Sequence, residues 1–222
     1  MISPMSTPEH ENASPTVLAG LATLAATLGD AAGLPGLLVY VTDAFSDNAC
    51  AEVRPCGAPL RVGIAADLLA DGRQMSLYGA LAHEIAHHAL GHPAGWLVPA
   101  LERITIWAMV AAGAATSLAA PAWVVAVLAV LAVVAFLVSA WRRRADEYAA
   151  DAHAAALLEA VGLPGAVIVA ASLADEITAE PRWYALGGWL LGGHPATGAR
   201  LHRLSDSMPL HPLAPKASGG PR

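Results

Sequence analysis

The sequence predicts an α+β chain, mainly helical, in which helices and a small antiparallel sheet are interrupted by a two-helix transmembrane hairpin. Three observations predict it. Of the 222 residues, 56% are hydrophobic and only 14% charged, where a soluble domain carries about 25% charged. Short β-favouring runs separated by turn residues lie between positions 37 and 65. Two long charge-free segments follow position 103. The net charge of −6 and the scattered basic residues exclude nucleic acid as a natural partner.

Residues 1–15 are polar, rich in Ser, Pro and Glu, and have neither a basic nor an apolar region of the kind that starts a secretory signal. They read as a disordered tail, as do residues 209–222. Val17, Leu18, Leu21, Leu24, Ala25 and Leu28 recur at helical spacing, which predicts an amphipathic helix from Thr16 to Leu28. Leu37–Thr42, Ala49–Arg54 and Leu60–Ala65 predict three strands, with turns at Asp47, Asn48, Pro55, Gly57 and Pro59. A second helix is predicted from Ser76, an N-cap, to Leu90, with Gly91 as its stop. After the apolar segments, residues 144–161 predict a helix ended by Gly162 and Pro164, followed by another over 165–177. A Gly-rich loop containing Trp leads to His194-Pro195, and a short helix spans 196–207. One folded unit thus comprises 16–103 and 141–208, split by the hairpin at 104–140.

The hairpin halves, Ile104–Ala120 and Ala122–Ala140, contain no charge and meet at Pro121. At about 1.5 Å per residue each is roughly 25–29 Å long, the thickness of a bilayer's hydrocarbon. Arg103 precedes the pair and Arg142, Arg143 and Arg144 follow it, which places both outer ends in the cytoplasm. Trp107, Trp123 and Trp141 fall near the expected interfaces. The chain therefore reads as an integral membrane protein with a lipid bilayer as one partner and its folded unit cytoplasmic.

The strongest local signal is His83-Glu84-Ile85-Ala86-His87. Helical positions i and i+4 share a face, so the two imidazoles can converge on one cation. A zinc ion with three protein ligands keeps an open position and acidifies water there. Glu84 can then serve as the general base. The third ligand lies elsewhere, because the spacing that would supply it from a following histidine has Leu90 and Pro93 at its key positions. Glu147, four residues before Asp151 on the next predicted helix, is the leading candidate, and Asp151 suits the support of a ligand. His153 is the alternative. His88 and His92 read as structural or supporting residues, and Cys50 and Cys56 are assigned no joint role.

In this order and spacing the chain resembles the peptidase family that includes the HtpX heat-shock protease and the CAAX prenyl protease. The resemblance rests on the His83–His87 motif, the apolar segments after it, the Glu147-Tyr148-Ala149-Ala150-Asp151 helix, and His194-Pro195 followed by Arg200. It covers roughly residues 34–204. It implies a zincin-like metallopeptidase domain with one Zn2+ per chain, held by His83, His87 and Glu147, with Glu84 as base. It further implies that His194 steadies the tetrahedral intermediate and that Arg200 pairs with a carboxylate near the metal, here Asp151. Asp146 departs from the family pattern, standing where many relatives have arginine. The expected function is a zinc-dependent endopeptidase acting on polypeptides at the cytoplasmic face of a bacterial plasma membrane, in membrane-protein quality control. The alternative is a catalytically silent zinc-binding scaffold.

Overall fold

The computed structural model describes residues 15–43, 49–51, 59–69, 72–92, 95–181 and 194–207. Among them, six α-helices and three strands follow in order. They are α1 (Pro15–Ala31), β1 (Leu38–Thr42), β2 (Ala49–Ala51), β3 (Arg61–Ala65), α2 (Gln74–Ala89), α3 (Leu97–Ser117), α4 (Ala122–Ala160), α5 (Gly165–Ala179) and α6 (Thr197–Ser207). A 3-10 turn, Ala66–Leu69, leads from β3 toward α2. Both expected tails and the Gly-rich loop lie outside the described residues.

The sheet corrects the sequence reading, because it is mixed rather than antiparallel. Its order is β1-β3-β2, with β3 parallel to β1 and antiparallel to β2. The turn residues suggested hairpins between consecutive strands. Burial decided otherwise: Val62, Gly63, Ile64 and Ala65 of β3 are all buried, so the most buried strand takes the centre. β2 is left at an edge.

Helix α2 is the centre of the folded unit and packs against α5 and α4. Leu81 and Ile85 on α2 are fully buried with Leu28 of α1, Val62 and Ile64 of β3, and Leu158 of α4. Its start differs from expectation. Ser76 is not the cap, since the helix begins two residues earlier and the buried Ser76 hydroxyl donates instead to Asp175 of α5. Gly91 does end it, in the left-handed conformation at φ 71°.

Helices α3 and α4 form an antiparallel pair turned at Leu118–Pro121, where Ala119 adopts φ 51°. Helix α3 starts at Leu97, ahead of the apolar run, because Glu102 and Arg103 favour helix and Pro99 falls in its first turn, where a missing N–H costs nothing. Glu102 there pairs with Arg143 on α4. Helix α4 is one rod of 39 residues. Its first half buries Ala132, Ala135 and Ser139, while its second half buries Glu147, Ala150, Asp151, Ala154 and Leu158 at helical spacing. The pair therefore turns its apolar side chains outward: Trp107 is 70% exposed, Trp123 69% and Val130 62%. Both helices are long and apolar enough to cross a membrane.

Candidate metal centre

Helix α2 presents His83 and His87 on one face, and the second half of α4 crosses it so that Glu147 meets them. The Nε2 atoms of the two histidines lie 3.0 Å apart. Glu147 places Oε2 3.3 Å from His83 Nε2 and Oε1 3.5 Å from His87 Nε2. Bonds of about 2.0–2.2 Å at tetrahedral angles separate neighbouring ligand atoms by about 3.3 Å, so the three residues fit a zinc ion. A second observation agrees. Glu147 is only 5% exposed, and its Oε2 has no hydrogen-bond partner among the described residues. A buried carboxylate oxygen without a donor is costly unless a cation satisfies it. These three are the described residues that could hold a metal ion, and His153, though on α4, is not among them.

Each ligand is fixed from behind. His83 Nδ1 lies 2.9 Å from Asp151 Oδ1, and Asp151 receives Arg200 through Nε at 2.9 Å and a terminal nitrogen at 2.7 Å. Burial opposes the charged form of His83, but the adjacent Asp151 and Glu147 carboxylates outweigh it and raise its pKa to about 10. Burial likewise opposes the Glu147 anion, yet His194 at 2.9 Å and the facing His83 and His87 imidazoles hold it well below the usual carboxylate range. Asp151 is held low against burial by His83 and Arg200. His194, just before α6, sets Nδ1 2.9 Å from Glu147 Oε1, which raises its own pKa. Its side chain is 62% exposed and so can reach a bound molecule.

Glu84 points from α2 toward the sheet, where the Ala51 N–H of edge strand β2 donates to its Oε2 at 2.6 Å. Burial pushes its carboxyl up, against the pull of His83 and His87. A carboxylate lifted toward neutrality is suited to accepting and returning a proton. A cleft of about 710 Å³ joins these groups, running past Ala51, Glu84, Glu147 and His194 to Trp96 and Glu102 at the base of the hairpin.

Sequence reasoning placed His88 and His92 together as supports, and the structure separates them. His88 bonds the Arg61 carbonyl through Nε2 at 2.9 Å, tying α2 to β3. His92 turns back to His87, with their Nδ1 atoms 2.8 Å apart, and lies 3.5 Å from Asp146. The Gly91 stop was the available signal, since a left-handed glycine reverses the chain and aims the next residue at the last helical turn. The donor from Ala51 is a backbone group and left no mark in residue type.

The model of peptidase family M48 matches residues 19–208. No curated protein and no solved structure matches the chain. The match covers most of the chain, including every residue of the site. The chain belongs to peptidase family M48, the family of the HtpX and CAAX prenyl proteases.

Proposed function

From that membership and the site described, we propose that the chain is a zinc-dependent endopeptidase with a zincin-like catalytic domain formed by 16–103 and 141–208. The observation that carries this reading is the tetrahedral spacing of His83, His87 and Glu147 beside Glu84 on the same helix. A zinc ion held by those three residues acidifies water and polarises a carbonyl. Glu84 takes the proton of the attacking water and returns it to the departing amine, held in place by the Ala51 N–H. His194, anchored on Glu147 and exposed to the cleft, donates to the oxyanion as the carbonyl becomes tetrahedral. A substrate in extended form lies alongside edge strand β2, which borders the cleft. Asp151 and Arg200 orient His83 and do not touch substrate.

In this reading the α3–α4 hairpin spans the membrane, with Arg103 and the 142–144 arginines cytoplasmic, and the peptidase cuts polypeptides at that face, including surplus or damaged membrane proteins. The exposed apolar faces of both helices support it.

The test compares wild type with Glu84→Gln, both purified in mild detergent, for bound zinc and for cleavage of an unfolded casein-like protein. Equal zinc is expected, with turnover lower by about 10²–10⁴-fold in Glu84→Gln. Wild-type turnover by zinc-loaded, folded Glu84→Gln would remove the base role. Zinc with no cleavage by wild type would favour a scaffold.

A further inference from the structure

We propose that His92 is a positioning residue for His87, accepting its hydrogen bond while the Asp146 carboxylate, 3.5 Å from the far side of the His92 ring, backs it electrostatically. The proposal rests on the zinc reading above and adds a residue pair to it. His87 turns Nε2 toward His83 and Glu147. A neutral imidazole that offers its Nε2 lone pair to a cation must carry its proton on Nδ1. The nearest acceptor for that proton is His92 Nδ1, at 2.8 Å. His92 must then carry its own proton on Nε2, which faces Asp146 Oδ1 at 3.5 Å. Arg142, one turn before Asp146 on α4, holds the same oxygen at 3.1 Å.

The arrangement mirrors that of the other ligand. His83 turns its Nδ1 to Asp151, which is held by Arg200. His87 sits one turn further along α2, and an imidazole bridges it to Asp146, which is held by Arg142. Helix α4 thus supplies the third ligand and, on either side of it in sequence, the carboxylate behind each histidine. The left-handed Gly91 makes the bridge possible by folding residue 92 back over the last turn of α2. A hydrogen bond of this kind fixes the ring and makes the ligating nitrogen more basic, and its loss typically costs about 10–100-fold in metal affinity.

The experiment measures zinc affinity of the full chain in detergent by competition with a chromophoric chelator, for wild type and four variants. His92→Phe keeps the ring volume without an acceptor, and affinity is expected to fall by about 10–100-fold. His92→Gln restores an acceptor through its amide oxygen and is expected to stay within about threefold of wild type. Asp146→Leu is expected to weaken binding, and His92→Phe/Asp146→Leu to be no weaker than His92→Phe alone, because Asp146 acts through His92. Unchanged affinity in His92→Phe would overturn the proposal, as would equal losses in His92→Phe and His92→Gln, which indicate packing alone. Additive losses in the double variant would also overturn it. If His92→Phe does not fold, the Gln and Leu single variants decide between the same outcomes. Failure of wild type itself to bind zinc would overturn the zinc reading as well, and so is told apart from failure of the His92 assignment.

Discussion

Arg200 is 5% exposed and Asp151 3%, so each is the other's principal compensation in a place where water cannot help. Removing one charge from such a pair costs most of the other's compensation, and without Arg200 the buried Asp151 keeps only His83. Arg200→Met is therefore expected to destabilise the chain by about 3–5 kcal/mol in denaturant melts, and a loss under about 1 kcal/mol would show that the pair is well solvated. The protonation of His83 gives a second expectation. Its pKa of about 10 means that, at neutral pH and with no cation bound, the ring is charged. Zinc must displace that proton, so apparent affinity falls as pH falls, and binding releases about one proton near pH 7. Calorimetry in buffers of different ionisation enthalpy reads that number, and zero release would contradict the assigned state of His83. At this scale the convergence of His83, His87 and Glu147 was legible, because helical i, i+4 spacing sets two imidazoles on one face and a carboxylate four before Asp151 faces them. His92 was only half legible, because its partner is set by a backbone reversal and not by a helical interval.

Among the elements, α2 was the easiest to read, since its apolar positions and its glycine stop both act locally. Its start was misread for a tertiary reason: Asp175, 99 residues away, captures the Ser76 hydroxyl that would have capped the helix. The sheet order was equally hidden, because turn residues mark where a chain bends but not which strand becomes central. The packing of α2 on α5 yields a sharper expectation. A Cβ at Gly79 would overlap the Ser172 side chain, leaving no room between the helices. Gly79→Ala gains helix propensity yet is expected to lose about 1–3 kcal/mol through overpacking. A thermal or denaturant melt checks the sign, and a more stable variant would mean that α5 can simply move away.

As a whole, the molecule joins a small folded unit to two helices whose apolar surface it does not cover. Composition pointed to that division, since 14% charge is well under the about 25% of a soluble domain. Orientation is checkable in a background with Cys50 and Cys56 replaced by serine. Leu118→Cys, at the tip of the hairpin, is expected to react with a membrane-impermeant maleimide in intact cells, and His202→Cys on α6 only after permeabilisation. The reverse pattern would turn the whole arrangement over. The unbroken course of α4 then has a consequence for reach. No joint separates its apolar half from Glu147, which lies seven residues beyond Ala140, or about 10 Å along the axis. Under the proposed membrane reading, such a rod would hold Glu147 at a set elevation above the bilayer, equal to about three residues of extended chain. Membrane-tethered substrates with one cleavage sequence stepped outward along a linker would read that elevation. Bonds closer in are expected to survive, and equal cutting at every step would show that the rod gauges nothing.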